Sequence, residues 1–177
     1  MQYWTMSYVE ILLLRHLTRR PAHGYELRKR VENTVGVTLH NNSLYPALKR
    51  FEEAGAVTRT SEPSENGRPP RQVYALTPVG RELLHDMLAD FPPDQARDDT
   101  EFLARLGQFS LLTAPERLAV LDARTVSLNG RLHHFRDMHA LASDEPWGLV
   151  VTAELIRRDE SELRWIAELR EKAAASQ

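Results

Sequence analysis

Asn41-Asn42-Ser43-Leu44-Tyr45-Pro46-Ala47-Leu48-Lys49-Arg50-Phe51-Glu52-Glu53-Ala54-Gly55 is the stretch on which the fold turns. Leu44, Ala47, Leu48 and Phe51 recur at helical spacing and form one apolar face, an asparagine stands ready as N-cap, and Gly55 is a natural C′ residue. Pro46 fits such a helix only near its first turn, where few backbone N–H groups have intrahelical partners. With the apolar face turned inward, Asn42, Ser43, Tyr45, Pro46, Lys49 and Arg50 remain outside, preceded by Asn41. That outer set is convex, amide-rich and cationic, which suits a surface to be recognised and not an enzyme pocket.

Upstream, Ser7-x-x-Glu10 before Ile11-Leu12-Leu13-Leu14 and Leu17 reads as a capping box opening a buried helix that ends before Pro21. A second, mostly polar helix starts at His23-Gly24-Tyr25, with Tyr25, Leu27 and Val31 as candidates for its inward side, and ends at Gly36. Downstream the period changes. Val57–Thr60 and Gln72–Leu76 read as two strands joined by a long polar tip, Ser61 to Arg71, and Thr77-Pro78 opens a fourth helix to about Asp90. Three helices and then a hairpin make a winged helix-turn-helix, whose third helix enters the major groove of a duplex.

In that frame Asn and Arg can read adenine and guanine edges, while Ser, Tyr and Lys suit phosphate oxygens. The candidate DNA contacts are Asn41, Asn42, Ser43, Tyr45, Pro46, Lys49 and Arg50 on the third helix, and Arg59, Arg68, Arg71 and Gln72 on the wing, where Pro69-Pro70 stiffens the tip. His23 and Tyr25 at the start of the second helix join them. About half a dozen cations per protomer would face the duplex, which predicts a clear but not extreme salt dependence.

Three segments carry a resemblance: His23-Gly24-Tyr25-Glu26-Leu27, then Ser43 through Gly55, then Gly67-Arg68-Pro69-Pro70-Arg71-Gln72-Val73-Tyr74-Ala75-Leu76-Thr77-Pro78-Val79-Gly80. In order and spacing they resemble the PadR family of bacterial transcriptional regulators, over about the first 80 residues. The resemblance implies a winged helix-turn-helix domain, a homodimer, a palindromic operator and repression relieved by a small molecule or a stress. It places Tyr45, Pro46 and Lys49 in the recognition-helix motif and Arg68 and Arg71 in the wing. Where the family often has a Ser-Pro-Gly-like turn this chain has His40-Asn41-Asn42, so operator sequence does not transfer.

Phe91-Pro92-Pro93-Asp94 marks a boundary, giving a DNA-binding domain over 1–90 and a helical dimerisation and effector domain over 91–177. Composition shifts there: 12 basic against 10 acidic residues up to Asp90, and 11 against 15 beyond. Helices are expected from Thr100 to Leu112, from Pro115, and after Asp144-Glu145-Pro146. On the long one Leu118, Leu121, Thr125, Leu128, Leu132, Phe135, His139 and Ala142 alternate spacings of three and four, a heptad seam. Leu118, Leu121, Leu128, Leu132 and Phe135, with Ile156, Leu163 and Ile166 on the last helix, are the candidate dimerisation residues, and the long helices match the family's longer-tailed subgroup. Trp4, Trp147 and Trp165 are candidates for an effector pocket.

The fold class expected is therefore mainly α with a small β-hairpin: a winged helix-turn-helix plus a coiled-coil-like helical domain. Partners expected are an operator duplex, a second copy and a small-molecule effector. The alternative is a winged-helix interaction or signalling adaptor that binds no operator. The 177 residues contain no cysteine, which removes disulfides, thiolate zinc sites and cysteine nucleophiles. No Gly-rich phosphate loop or His-Glu-x-x-His occurs, and His133 with Asp137 supplies too few ligands for a metal, so neither enzyme activity nor a cofactor is expected. The longest apolar run, Ile11–Leu14, is too short to span a membrane, and a cytoplasmic protein is expected.

Overall fold

The computed structural model describes residues 8–35, 41–63, 71–141 and 145–175. The protein is mainly helical with a small antiparallel sheet, in the winged-helix arrangement, followed by long helices. Its internal contacts divide into two compact units, Met1–Leu88 and Ala89–Gln177.

In the first unit α1 (Tyr8–Leu17) is buried on nearly every side, through Val9, Glu10, Ile11, Leu12, Leu13, Leu14 and Leu17. A helix apolar all round is a core helix, around which its neighbours pack. These are α2 (Gly24–Val35), which buries Leu27 and Val31, and α3 (Asn41–Glu53), which buries Leu44, Ala47, Leu48 and Phe51. Tyr25, expected inward, is instead exposed, while Leu27 and Val31 are buried in the core. Pro46 sits in the second turn of α3, later than expected, so it offers no N–H to the Asn42 carbonyl one turn back. Ser7 and Gly36 lie outside the described residues.

The expected hairpin is present, and a third, short strand joins it. The sheet has three strands, in the order β1 (Ala22–His23), β3 (Arg71–Leu76), β2 (Val57–Glu62), all antiparallel. Pro21 keeps the chain extended, so Ala22 pairs with Tyr74 and His23 with Val73 before α2 begins. Two residues are too short to show a period-two pattern, which is why the sequence concealed β1.

At the other end of α3, Gly55 adopts a left-handed conformation (φ 71°), as a C′ glycine should. The chain then docks against the start of α4 (Pro78–Ala89). The Thr77 hydroxyl donates to the Gly55 carbonyl at 2.7 Å and accepts from the Gly80 amide at 3.0 Å, while the Thr77 amide donates to the Ala56 carbonyl at 3.1 Å. One threonine thus caps α4 and satisfies the backbone leaving α3.

In the second unit, Asp98 caps α5 (Asp99–Leu106) by accepting from the amides of Thr100 and Glu101. The single helix expected over Thr100–Leu112 is split: α5 stops at Gly107, and a 3-10 turn follows over Phe109–Leu111. Then α6 (Ala114–Leu141) and α7 (Pro146–Ala175) pack against each other along their length. Of the eight candidate dimerisation residues, Leu121, Leu128, Leu132 and Ile166 are buried within the single chain, and Leu118, Phe135, Ile156 and Leu163 are half-buried.

Alternating with the leucines runs a ladder of arginines at heptad spacing. Arg117 donates to the Phe109 carbonyl; Arg124 grips Glu162 with two hydrogen bonds of 2.8 and 2.9 Å and also reaches Asp99; Arg131 grips Asp159 at 2.6 and 2.9 Å. Burial would raise the Asp99 pKa, but the hydrogen bond and charge of Arg124, joined by Arg131, outweigh it and hold the carboxyl below its usual range. A depressed carboxylate stabilises the fold above its unfolded pKa of about 3.9 and stops doing so as pH falls through its lower folded value. Asp99 is largely exposed, so screening keeps the effect below about 1 kcal/mol. Asp99→Asn should accordingly melt slightly below the wild type at neutral pH, with the two melting curves converging as the solution is acidified below the unfolded carboxylate pKa.

Candidate nucleic-acid interface

The outer face of α3 carries Tyr45 and Lys49, one helical turn apart and 48% and 75% exposed. Lys49 makes a long, exposed pair with Glu53 at 3.7 Å. Pro46 is exposed beside them. Asn41, Asn42 and Ser43 form the first turn of α3, but their side chains lie outside the described set, as do Arg68 and Trp4 altogether.

Beside this ridge the start of α2, the middle of α3 and strand β3 enclose a concavity of about 580 Å³, lined by His23, Gly24, Tyr25, Glu26, Tyr45, Arg71, Gln72 and Tyr74. Gly24 is what lets it form: a Cβ there would lie 3.1 Å from the Tyr45 ring, tighter than most such contacts. Tyr25 stands exposed at the rim with the Arg28 guanidinium 5.5 Å from its ring centre. Gln72 donates to the Ser61 hydroxyl at 3.3 Å, and His23 Nδ1 lies 3.4 Å from the Gln72 carbonyl. Arg71 is exposed at the edge. Burial pushes the Tyr74 phenol above its ordinary pKa against the opposing pull of Arg59, so it stays neutral and able to donate. A concavity with phenols, an amide and a guanidinium at a helix N-terminus has the donor set that phosphate oxygens require.

Arg50 and Arg59, read from sequence as surface cations, both have carboxylate partners in the chain. Arg50 pairs with Glu10 of α1, and Arg59 with Glu52 of α3 at 3.2 Å. Sequence reasoning read Glu10 only as part of a capping box, not as the partner of Arg50, and assigned no role at this site to Glu52, Gly24 or Tyr74. Glu10 had a signal, a lone carboxylate next to the most apolar run in the chain.

Of the candidate effector tryptophans, Trp147 and Trp165 do not come together. Trp147 and Trp165 share α7 but stand 18 residues apart, about 27 Å along the axis. Trp165 packs edge-on against Phe102, whereas Trp147 is 79% exposed. Sharing a helical face is not sharing a cavity. His133 and Asp137 form an exposed pair at 3.5 Å, and among the described residues no group of three or more metal-ligating side chains is assembled. Among the described residues no helix is long and apolar enough to cross a membrane.

The model of the transcriptional regulator PadR-like family matches residues 13–86. A PadR-family transcriptional regulator from Eggerthella lenta is 32% identical, over 46% of this chain and 69% of its own, with a TM-score of 0.41. The chain belongs to the PadR-like family. Another PadR-family regulator, from Clostridium difficile R20291, is 28% identical over 44% of this chain and 80% of its own, with a TM-score of 0.39. Bacillus subtilis PadR, in complex with operator DNA, is 18% identical over 94% of this chain and 99% of its own, with a TM-score of 0.44. An uncharacterized 37.1 kDa protein in transposon TN4556 of Streptomyces fradiae is 40% identical over 75 residues, so this chain spans only 20% of that relative. The PadR-like match runs from within α1 to within α4 and takes in the ridge and the cradle beside it.

Proposed function

We propose that this PadR-like chain is a sequence-specific DNA-binding transcriptional regulator of repressor type, binding a palindromic operator as a homodimer, with relief by a small-molecule effector. The observation that carries the reading is the Tyr45–Lys49 ridge, exposed on a helix whose opposite face is locked into the core, beside a donor-lined cradle ending in Arg71. Lys49 and Arg71 supply exposed positive charge, Tyr45 and Tyr25 the phenols, and the first turn of α3 brings Asn41, Asn42 and Ser43 to the same end. In this reading the DNA-binding part is residues 1–90 and the helical part, 91–177, serves dimerisation and effector binding, in a cytoplasmic protein without enzymatic activity.

The dimer reading draws support from apolar side chains that the α6–α7 hairpin leaves uncovered. Met138, Leu141, Trp147, Val150 and Val151 are all exposed around the connection between the two helices, more apolar surface than a solitary hairpin needs. Two ridges about 34 Å apart would match successive major grooves on one side of a duplex.

The test begins by selecting bound fragments from genomic DNA. Affinity for the selected fragment is then measured against salt. Lys49→Gln should weaken binding to specific and scrambled duplexes alike and lower the slope of log K against log salt by about 0.9 for each Lys49 that meets a phosphate. No enrichment of any fragment, with an unchanged slope in the variant, would overturn the assignment.

A further inference from the structure

The recognition helix is held by two ion pairs on its flanks. At about 100° per residue, Leu44, Leu48 and Phe51 point into the core, Tyr45 and Lys49 point away from it, and Arg50 and Glu52 fall on the two borders between these faces. Arg50 pairs with Glu10 on α1, and Glu52 pairs with Arg59 on β2 at 3.2 Å. The two tethers differ in kind. Glu52 and Arg59 are both partly exposed, whereas Glu10 is only 4% exposed, on a helix whose other buried residues are all apolar. A carboxylate in such surroundings is tolerated only when it is paired and hydrogen-bonded.

We propose that Glu10 is a positioning residue for DNA recognition: it holds the Arg50 guanidinium, so Arg50 fixes the roll of α3 about its axis and spends its charge inside the protein, not on phosphate. This rests on the DNA-binding reading of α3 above. The physical basis is that base readout depends on where Tyr45 and the first turn of α3 fall within the groove, while counterion release depends only on how many cations reach phosphates. A roll of α3 therefore lowers the preference for the selected sequence and leaves the salt slope alone. Loss of a true phosphate contact does the reverse.

The experiment compares Glu10→Gln, Arg50→Gln, the double variant and Lys49→Gln with the wild type, on the fragment the wild-type chain selects and on a scrambled duplex of equal length, across a salt series. Melting is followed by circular dichroism, and the double variant, which strands no buried charge, covers the case in which Glu10→Gln or Arg50→Gln alone folds poorly. Glu10→Gln, Arg50→Gln and the double variant should each lose about tenfold in the ratio of specific to scrambled affinity, non-additively, with unchanged slope, while Lys49→Gln lowers the slope by about 0.9 for each Lys49 that meets a phosphate. A lowered slope in Arg50→Gln, or tighter binding with a steeper slope in Glu10→Gln, would show Arg50 to be a phosphate contact restrained by Glu10 and overturn the inference alone. An unchanged Lys49→Gln slope would overturn the DNA-binding reading of α3, and this inference with it.

Discussion

Gly80→Ala should unfold the first unit or leave it barely stable. A Cβ on Gly80 would lie 2.1 Å from the Ala56 carbonyl oxygen and 2.6 Å from a Leu76 methyl. The methyl could turn away, but the Ala56 carbonyl cannot, because it is a backbone atom held by the Thr77 amide immediately after the C-cap of α3. Relieving the clash means lifting α4 off the end of the recognition helix and breaking the Thr77 cap. The expected cost is about 3 kcal/mol or more, the upper end of overpacking effects. The control is Gly130→Ala, also within a helix, where the added Cβ meets nothing within 4 Å. That change should be neutral or stabilising by up to about 1 kcal/mol through helix propensity alone. Urea unfolding of the two variants side by side checks the contrast, and equal midpoints would refute the close approach.

The second large effect is expected at Arg124. Its side chain is 0% exposed, with the guanidinium fastened to Glu162 and Asp99, donating to the Ala96 carbonyl at 2.9 Å, and lying 5.3 Å from the Phe102 ring centre. Burial works against its charge, but Glu162 and Asp99 together outweigh that and raise its pKa further. Arg124→Ala would open a cavity and strand Glu162, which is mostly buried, whereas Asp99 can turn to water. Breaking a buried pair from one side costs about 3–5 kcal/mol. Arg124→Met with Glu162→Leu removes both charges and keeps most of the volume, so it should recover much of the loss. A single variant within about 1 kcal/mol of the wild type would mean that the arginine ladder does not organise the hairpin.

These two sites show what the sequence disclosed. The face of α3 was legible because four apolar residues at helical spacing leave no other side to bury, and the order of helices and strands up to α4 followed from it. The strand β1 was not, since two residues carry no periodicity and only their pairing with Tyr74 and Val73 defines them. In the second unit the leucine seam was visible, yet the same spacing in Arg117, Arg124 and Arg131 was passed over because arginine is ordinarily a surface residue. Its partners Asp159 and Glu162, three residues apart on the last helix, were the available clue. The ion pairs of Arg50 and Arg59 were not legible for a related reason: one joins residues 40 apart in the chain, and the other joins strand β2 to helix α3.

The claim on which the account rests is that the Tyr45–Lys49 ridge enters a major groove, twice, in a symmetric pair. Hydroxyl-radical footprinting of the selected fragment tests it most directly. Two protected half-sites are expected, with centres about 10 base pairs apart or a whole multiple of that, both lost together in a Tyr45→Ala, Lys49→Ala double variant that still folds. A single protected patch, or a footprint that survives that variant intact, would contradict it.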